Sequence, residues 1–406
     1  MSLLALLLLA IALLGTLSST IFLAISLAGV RKFHAAADRQ RRQADALAAS
    51  QLPPVSILKP LHGMEPQLER NLESFFQQDY PCFEILFALD TDDDSALPVV
   101  RALREQYPQV PSRIMITGEP PWPNPPAYAF SRMAAEAHYD LLITSDSDVE
   151  VERDYLRAVA PPLLESSAGM LTCVYRGLST GKFWSLLDAI GMSVEMTAGV
   201  MAANLLEGMK FGLGPTIAVR RDALDAIGGY SVLGDYFSND FVIGNMIAER
   251  GYTVVLSRHI IAHVVPPMSF RQMWQRQLRW ATGTRHSRPK GHFGTVFTYA
   301  VPYGLLGLIA CALLRRPEWG LLLLAWSLLN RIVEALAIGW GVTRDRECLR
   351  RPWLHALRDL LGFCVWVASY LSRHMRWREG RFELVKGGRI LVRDRRGGQV
   401  RMRASV

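Results

Sequence analysis

The chain runs to 406 residues with a formal net charge of +8 at pH 7, and 50% of its residues are hydrophobic. That length suits one large domain with additional elements, and five scattered cysteines without a C-x-x-C pair (Cys82, Cys173, Cys311, Cys348, Cys364) exclude a disulfide framework and a cysteine zinc site. Much of the positive excess falls in 344–403, beside apolar segments and outside any nucleic-acid-binding pattern, so it points to an anionic lipid surface and away from nucleic acid.

Residues 1–30 carry no charge. A spanning helix needs about 20 apolar residues, whereas the apolar region of a signal peptide has about 7–15 behind a basic start. Residues 1–30 therefore read as an uncleaved transmembrane anchor. Arg31, Lys32, Arg39, Arg41 and Arg42 make 31–52 a basic juxtamembrane linker and place that flank in the cytoplasm.

From 53 to 268 the pattern is that of an α/β domain. A β-rich run at Pro54–Leu58 precedes a helical stretch near 65–78 and a strand at Phe83–Leu89. A helix near 95–106 and strands at 113–117 and Leu141–Ser145 follow. Short apolar runs separated by helices predict parallel βαβ units in a doubly wound, Rossmann-like sheet, with ligands beyond the carboxyl ends of the strands. Two acidic clusters fall at such ends: Asp90-Thr-Asp92-Asp93-Asp94 and Asp146-Ser147-Asp148. Residues 120–126, Pro-Pro-Trp-Pro-Asn-Pro-Pro, read as a loop, 212–219 as a turn into a strand, and 239–250 as a helix starting near Asn239.

Residues 269–292 form an amphipathic interfacial helix containing Arg276-x-x-Arg279-Trp280. The segment 293–372 holds three apolar runs, at 293–314, 319–342 and 353–372. Arg331 and Glu334 interrupt the second at a spacing that pairs them on one helix face. His355, Arg358 and Asp359 shorten the third. The basic loop at 344–351 and the basic tail 373–406 both favour the cytoplasmic side, which makes 353–372 re-entrant or interfacial. The expected localisation is a multi-pass membrane protein, with the bacterial inner membrane as its setting and the α/β domain cytoplasmic.

Two carboxylates one residue apart at a strand end suit a hard divalent cation, Mg²⁺ or Mn²⁺, which takes one or two protein carboxylates and leaves positions for substrate phosphate oxygens. Two arginines on one helix face suit a phosphate, and the indole beside them offers an apolar plate. Asp240, at a helix start, suits a general base. Each feature has a plainer counterpart. A D-x-D is a helix cap or a coincidence about half the time, an acidic run is a solvated loop, and Asp240 alone would contribute only about 0.3–1 kcal/mol to a helix dipole. Their order along one chain gives them a common purpose: a cation and an arginine on a departing nucleoside diphosphate, and a base for the acceptor. No Gly-x-Ser-x-Gly elbow or Cys–His pattern suggests a covalent nucleophile.

The series formed by the anchor, Pro54-Val-Ser-Ile-Leu-Lys-Pro-Leu61, Asp90-Thr-Asp-Asp93, Asp146-Ser-Asp148, Asp240 and Arg276-x-x-Arg279-Trp280 resembles the ceramide glucosyltransferases. It is equally similar to their bacterial relatives, including the hopanoid-biosynthesis glycosyltransferases, from about residue 10 to Phe382. The resemblance implies a GT-A fold, a UDP-sugar donor, an inverting mechanism and a membrane lipid acceptor. It places Asp93, with Asp90 and Asp92 nearby, on the uridine side, and Asp146 and Asp148 on the metal and diphosphate. Asp240 becomes the base, and Arg276, Arg279 and Trp280 contact the diphosphate and the acceptor entrance. The chain departs from the pattern twice: Pro126 follows Asn124-Pro125 where a lysine is usual, and Asn239 precedes Asp240 where an acid is usual. The expectation is an inverting, metal-dependent transferase of a hexose or N-acetylhexosamine to a ceramide-like or hopanoid hydroxyl. Its rivals are a processive polysaccharide synthase, which needs more spanning helices, and a catalytically inactive membrane scaffold.

Overall fold

The computed structural model describes residues 3–371, 375–377, 380–385 and 387–391. The tail beyond 391 and the side chains of Trp377–Phe382, placed above near a lipid entrance, lie outside what is described. Two compact units emerge: residues 33–175, 209–264 and 376 onward form one, and residues up to 32, 176–208 and 265–375 form the other.

The first unit is built on a seven-stranded sheet in the order β3-β2-β1-β4-β8-β6-β9. Its strands are β1 (Val55–Pro60), β2 (Phe83–Leu89), β3 (Ser112–Ile116), β4 (Leu141–Ser145), β6 (Ala168–Thr172), β8 (Thr216–Arg220) and β9 (Thr253–Leu256). β5 (Val149–Glu150) pairs antiparallel with β10 (Ile261–Val265), and β7 (Tyr175–Ser179) leads out of the unit. Every residue of β2 and β4 is buried, which is why central strands covered on both faces read as unbroken apolar runs. β1, β2, β3 and β4 pair in parallel, as the alternation predicts. β8 does not follow suit: it runs antiparallel to both β4 and β6, so the sheet is mixed rather than uniformly parallel. An apolar run reports burial, not direction, and only long-range pairing fixes the latter.

The covering helices bury one stripe each. Leu68, Leu72, Phe75 and Phe76 do so on α2 (Leu68–Phe76), and Leu97, Val100 and Leu103 on α3 (Leu97–Gln106). The 120–126 loop ends earlier than its composition suggests. α4 (Pro125–Glu136) starts inside it, because Asn124 Oδ1 accepts the Ala127 N–H at 3.1 Å and two prolines fill the first turn, where no N–H is needed. α5 (Tyr155–Val159), α8 (Arg221–Asp225) and α9 (Asn239–Glu249) complete the unit.

The second unit contains most of α1 (Leu3–Asp45), α6 (Phe183–Gly191) and α7 (Thr197–Leu206). It also holds α10 (Phe270–Ser287), α11 (Pro289–Gly294), α12 (Val301–Leu313), α13 (Pro317–Glu334), α14 (Arg346–Arg350) and α15 (Leu354–Leu371). Segments 3–45, 183–206, 317–340 and 354–371 are long and apolar enough to cross a membrane, and a fifth pair, 289–298 with 301–313, is bent by 51°. Exposed Leu4, Leu7, Leu14, Leu17, Trp319, Leu322 and Trp326 give this unit an apolar surface suited to lipid. Segment 183–206 is different. It is mostly buried, and β6 before it pairs with β8 after it, so it leaves and returns on one side and cannot be a single crossing. Residues 354–371, expected to be re-entrant or interfacial, form an unbroken helix, and a 51° bend lies in the first apolar run.

Charges in these helices are neutralised in pairs. Arg331 Nη1 lies 2.8 Å from Glu334 and 3.1 Å from Asp359, and His355 Nε2 lies 2.8 Å from Glu334. Asp359 Oδ2 also accepts the N–H groups of Ala300 and Val301 at 3.0 and 2.8 Å. Arg331→Met leaves two buried carboxylates without their cation and is expected to cost about 3–5 kcal/mol. Denaturation in detergent micelles measures it, and unchanged stability would show that the cluster is not a structural lock.

Candidate active site

The acids at the strand ends meet in a cleft of about 250 Å³ lined by His62, Glu65, Asp90, Pro125, Pro126, Asp146 and Asp148, among others. β2 delivers Asp90, and the tight turn from β4 into β5 delivers the other pair. Beneath them Lys59, fully buried at the end of β1, donates from Nζ to the Asp146 carbonyl, lies 3.4 Å from Ser145 Oγ and sits 3.9 Å above the Phe75 ring. Burial pushes Lys59 down to about 7 against the pull of Asp146, Asp148 and Glu65. Burial also holds the Asp146 carboxyl well above the usual carboxylate range. Asp148 adds to that shift, Lys59 opposes it, and Asp240 and Glu65 add further. The Ser147 hydroxyl donates to Glu65 at 2.6 Å, and Asn71 Nδ2 to the Ser147 carbonyl at 3.1 Å, which fixes the turn.

Asp240 sits in the first turn of α9. Its Oδ1 accepts the Phe241 N–H at 2.8 Å and its Oδ2 the Gly214 N–H at 2.9 Å. Burial raises its pKa, and these two hydrogen bonds only partly offset that. A Cβ on Gly214 would stand 3.3 Å from Asp240 Oδ2 and 3.9 Å from Asp146 Oδ2. The glycine therefore leaves open the space on which both carboxylates converge. Gly214→Ala places a methyl group there, so Asp240 Oδ2 must give by a few tenths of an ångström, and turnover is expected to fall by less than the roughly 10²-fold that a full 1 Å misplacement costs. Steady-state rates paired with a thermal melt separate this from misfolding.

Not every candidate joins this group. Asp92 and Asp93 are exposed on the loop after β2, and Asp93 accepts from the Thr91 hydroxyl. Neither lines the cleft; Asp90 does, 3.6 Å from His62 Nδ1. Asp94 is a turn residue, accepting the N–H groups of Gly63 and Ala96. Pro126 occupies the cleft wall where a lysine was expected, and with Pro125 it contributes neither a cation nor an N–H.

In the helical unit, α10 begins with a capping box between Ser269 and Gln272. Arg276 lies over the Trp280 ring at 4.6 Å and 3.6 Å from buried Asp188. Gln277, between the two motif arginines, donates to Asp188 and accepts from Arg358 at 2.6 Å, and Arg358 reaches Glu195 at 2.9 Å. Gly191 makes room for Arg358, since a Cβ there would lie 2.3 Å from Nε. Arg279 has no carboxylate in ion-pair range among the described residues. Burial, and then Arg276, hold its pKa down.

The profile of glycosyl transferase family 21 matches residues 11–390. The chain belongs to that family. It is a glycosyltransferase, with a mixed α/β sheet of the kind the GT-A resemblance implies and helices apolar enough to span a membrane. It is 26% identical over 355 residues to ceramide glucosyltransferase 3 of Caenorhabditis elegans, covering 84% of this chain and 75% of that one. It is also 22% identical over 241 residues to the probable glycosyltransferase YdaM of Bacillus subtilis, covering 58% and 56%. The mannosyltransferase PcManGT of Pyrobaculum calidifontis, solved with GDP-Man and Mn²⁺, aligns over 87% of this chain and 99% of its own with 18% identity and a TM-score of 0.46.

Four residues at the site received no role from the sequence: His62 and Glu65, which line the cleft, and Lys59 and His263, which lie beside its acids. Lys59 left a signal, a lone cation closing an apolar strand. His263 left none, because its place beside Asp148 comes from the pairing of β10 with β5.

Proposed function

We propose that this glycosyltransferase moves a hexose or N-acetylhexosamine from a UDP-sugar, with inversion, to a hydroxyl of a ceramide-like or hopanoid lipid at the cytoplasmic leaflet. The observation that carries the reading is the convergence of the Asp240 and Asp146 carboxylates at Gly214, with Asp146 also lining the cleft that holds Asp90 and Asp148. Asp240 is assigned the proton of the acceptor hydroxyl, and Asp90, with Asp92 and Asp93 on the same loop, the nucleoside side. Arg276, Arg279 and Trp280 are assigned the diphosphate and the acceptor entrance, on the family resemblance.

Residues in the cleft fit a divalent ion, Mg²⁺ or Mn²⁺. Asp148 Oδ1 is buried with no hydrogen-bond partner, and Asp148 raises the cost of ionising Asp146. Among the described residues no group of three His, Cys, Asp or Glu side chains is placed to hold a metal ion, so any ion here rests on Asp146 and Asp148 together with substrate oxygens. When bound, the ion supplies positive charge to the departing diphosphate. Lys59 fixes the turn that carries Asp146, and Gly214 orients Asp240.

The relatives support a lipid acceptor through the ceramide glucosyltransferase named above. Mass spectrometry of lipids from cells expressing the chain tests donor and acceptor together: a new monoglycosylated lipid is expected. UDP release that depends on a growing sugar polymer and not on extracted lipid would favour a polysaccharide synthase, and no release at all a scaffold.

The C-terminal segment supports a sidedness for the chain. The Phe237 N–H donates to Gly388 O at 2.9 Å, the Ile390 N–H to Asp235 O at 2.8 Å, and Arg389 meets the Tyr236 hydroxyl. Residue 390 therefore lies on the side of the sheet, and the excursion between 265 and 388 crosses an even number of times. With 317–340 and 354–371 as the two crossings, the bent 289–313 pair is the segment that enters and returns. A cysteine at Arg389 in a Cys-less background is expected to resist an impermeant thiol reagent in intact cells and to react after permeabilisation. Reaction from outside would overturn the assignment.

A further inference from the structure

We infer that the C-terminal segment 387–391 is a positioning strap for the transfer reaction, holding the loop that delivers the Asp240 carboxylate. The inference rests on the reading of Asp240 as the base. Residues 233–237 lead directly into α9, and Phe237 stands three residues before Asp240. Parts of the sheet unit remote in sequence grip this loop from two sides. On one, the Asn124 N–H donates to the Gly234 carbonyl at 2.9 Å and Asn124 Nδ2 to the Tyr236 carbonyl at 2.6 Å. The Trp122 ring closes on Gly234, where a Cβ would lie 3.0 Å from the indole.

On the other side the grip is a strand pairing. The Ile390 N–H donates to the Asp235 carbonyl at 2.8 Å and the Phe237 N–H to the Gly388 carbonyl at 2.9 Å. Tyr236 and Arg389 therefore face each other as a non-hydrogen-bonded antiparallel pair. Arg389 Nε and Nη2 reach the Tyr236 hydroxyl at 3.2 and 3.1 Å, with the guanidinium 5.2 Å from the ring centre. The strap holds its own shape. The Gly388 N–H donates to the Val385 carbonyl and the Val385 N–H to the Arg389 carbonyl, both at 3.0 Å. Gly387 and Gly388 take φ of +87° and +76°, a turn that favours glycine. Ile390 is 6% exposed, so burial seats the strap as well as backbone. The Phe241 and Gly214 amides aim the Asp240 carboxylate, while the strap fixes where α9 begins. A displacement of about 1 Å at a reacting group costs on the order of 10²-fold in rate, so the strap acts on transfer through the loop alone.

The test compares a full-length, Cys-less parent in detergent with I390P, which removes the amide that reaches Asp235, and with Y236C/R389C/I390P. Opposed residues of a non-hydrogen-bonded pair have Cα atoms about 4.5 Å apart, within the span of a disulfide, so oxidising the triple variant restores the grip covalently. Two readouts are taken: UDP release from UDP-glucose with extracted membrane lipid, and hydrogen–deuterium exchange in peptides carrying the Phe241 and Gly214 amides. I390P is expected to lower turnover about tenfold or more, with KM for UDP-glucose changed less than about twofold, and to speed exchange at both amides. The triple variant should match I390P when reduced and the parent when oxidised. Recovery of protection on oxidation supports the strap even if I390P alone folds poorly. Parental turnover and protection in I390P would overturn the strap, as would an oxidised triple variant no faster than the reduced one. D240N, run alongside, separates the two readings. Normal transfer by D240N overturns the base and the strap's purpose with it, whereas slow D240N beside a parental I390P overturns the strap alone. If the parent releases no UDP from this donor, exchange decides, and unchanged protection in I390P overturns the inference.

Discussion

Asp240→Asn is expected to lower sugar transfer by about 10²–10⁴-fold, the range for loss of a general base, with nucleotide-sugar binding nearly unchanged. Both oxygens of Asp240 are held by backbone N–H groups, from Phe241 and Gly214, so its direction toward the Gly214 space is set by the chain itself. Asparagine keeps the shape and removes the ability to take a proton. A variant that transferred at the normal rate but melted earlier would return Asp240 to the role of a helix-dipole charge. As the proposed base, the same carboxyl is expected to set the acid limb of the pH profile. Its pKa is raised by burial, so the limb should lie above the ordinary 3.8. The sign for stability is opposite to that of a salt-bridged acid. A raised pKa means the folded state holds this proton more tightly than the unfolded one. Its ionised form therefore costs stability above the folded value, and that cost disappears as pH falls through it. Activity should be lost on the acid side while the fold persists, which paired rate profiles and thermal melts will show.

What could be read from the sequence, and what could not, divides along physical lines. β2 and β4 announced themselves because central strands have no solvent face, and the acids after them followed from the rule that sheets bind ligands at strand ends. The D-x-D turn was legible for that reason, and the helices that carry Asp240 and Arg276 were legible from their own local pattern. The direction of β8 was not, since Thr216–Arg220 would read the same either way. Segment 183–206 was missed because Asp188 and Glu195 make it look soluble. Their charges are met by Arg276 and Arg358, which lie far along the chain. The start of α4 inside a proline-rich loop depended on one cap, Asn124 to Ala127, and composition outweighed it. Asp92 and Asp93 belonged to a motif whose one cleft-lining member is Asp90. Local patterns carry periodicity and caps. They carry neither pairing partners nor compensating charges.

Chelation of divalent ions is expected to abolish transfer, and Asp148→Ala to lower it by at least about 10²–10³-fold, the cost of losing a preorganised charge-stabilising group. The variant should fold. Asp148 Oδ1 has no partner to lose, and removing a second negative charge relieves Asp146, whose carboxyl Asp148 helps to hold above its normal range. The fully buried Lys59 still finds the Asp146 carbonyl, so the turn keeps its anchor. A melting temperature equal to or above that of wild type is therefore expected without metal. Metal should separate the two proteins. An ion that binds only the native state stabilises wild type by about 2.7 kcal/mol at a hundredfold excess over its Kd, and the variant should gain much less. Three measurements check the argument: transfer in excess chelator, transfer by the variant, and melts with and without Mn²⁺. Full activity in chelator would remove the metal from the reaction. The acids at the ends of β2 and β4 would then have to serve the nucleotide without a cation, a role to which carboxylates sharing one buried lysine are poorly suited.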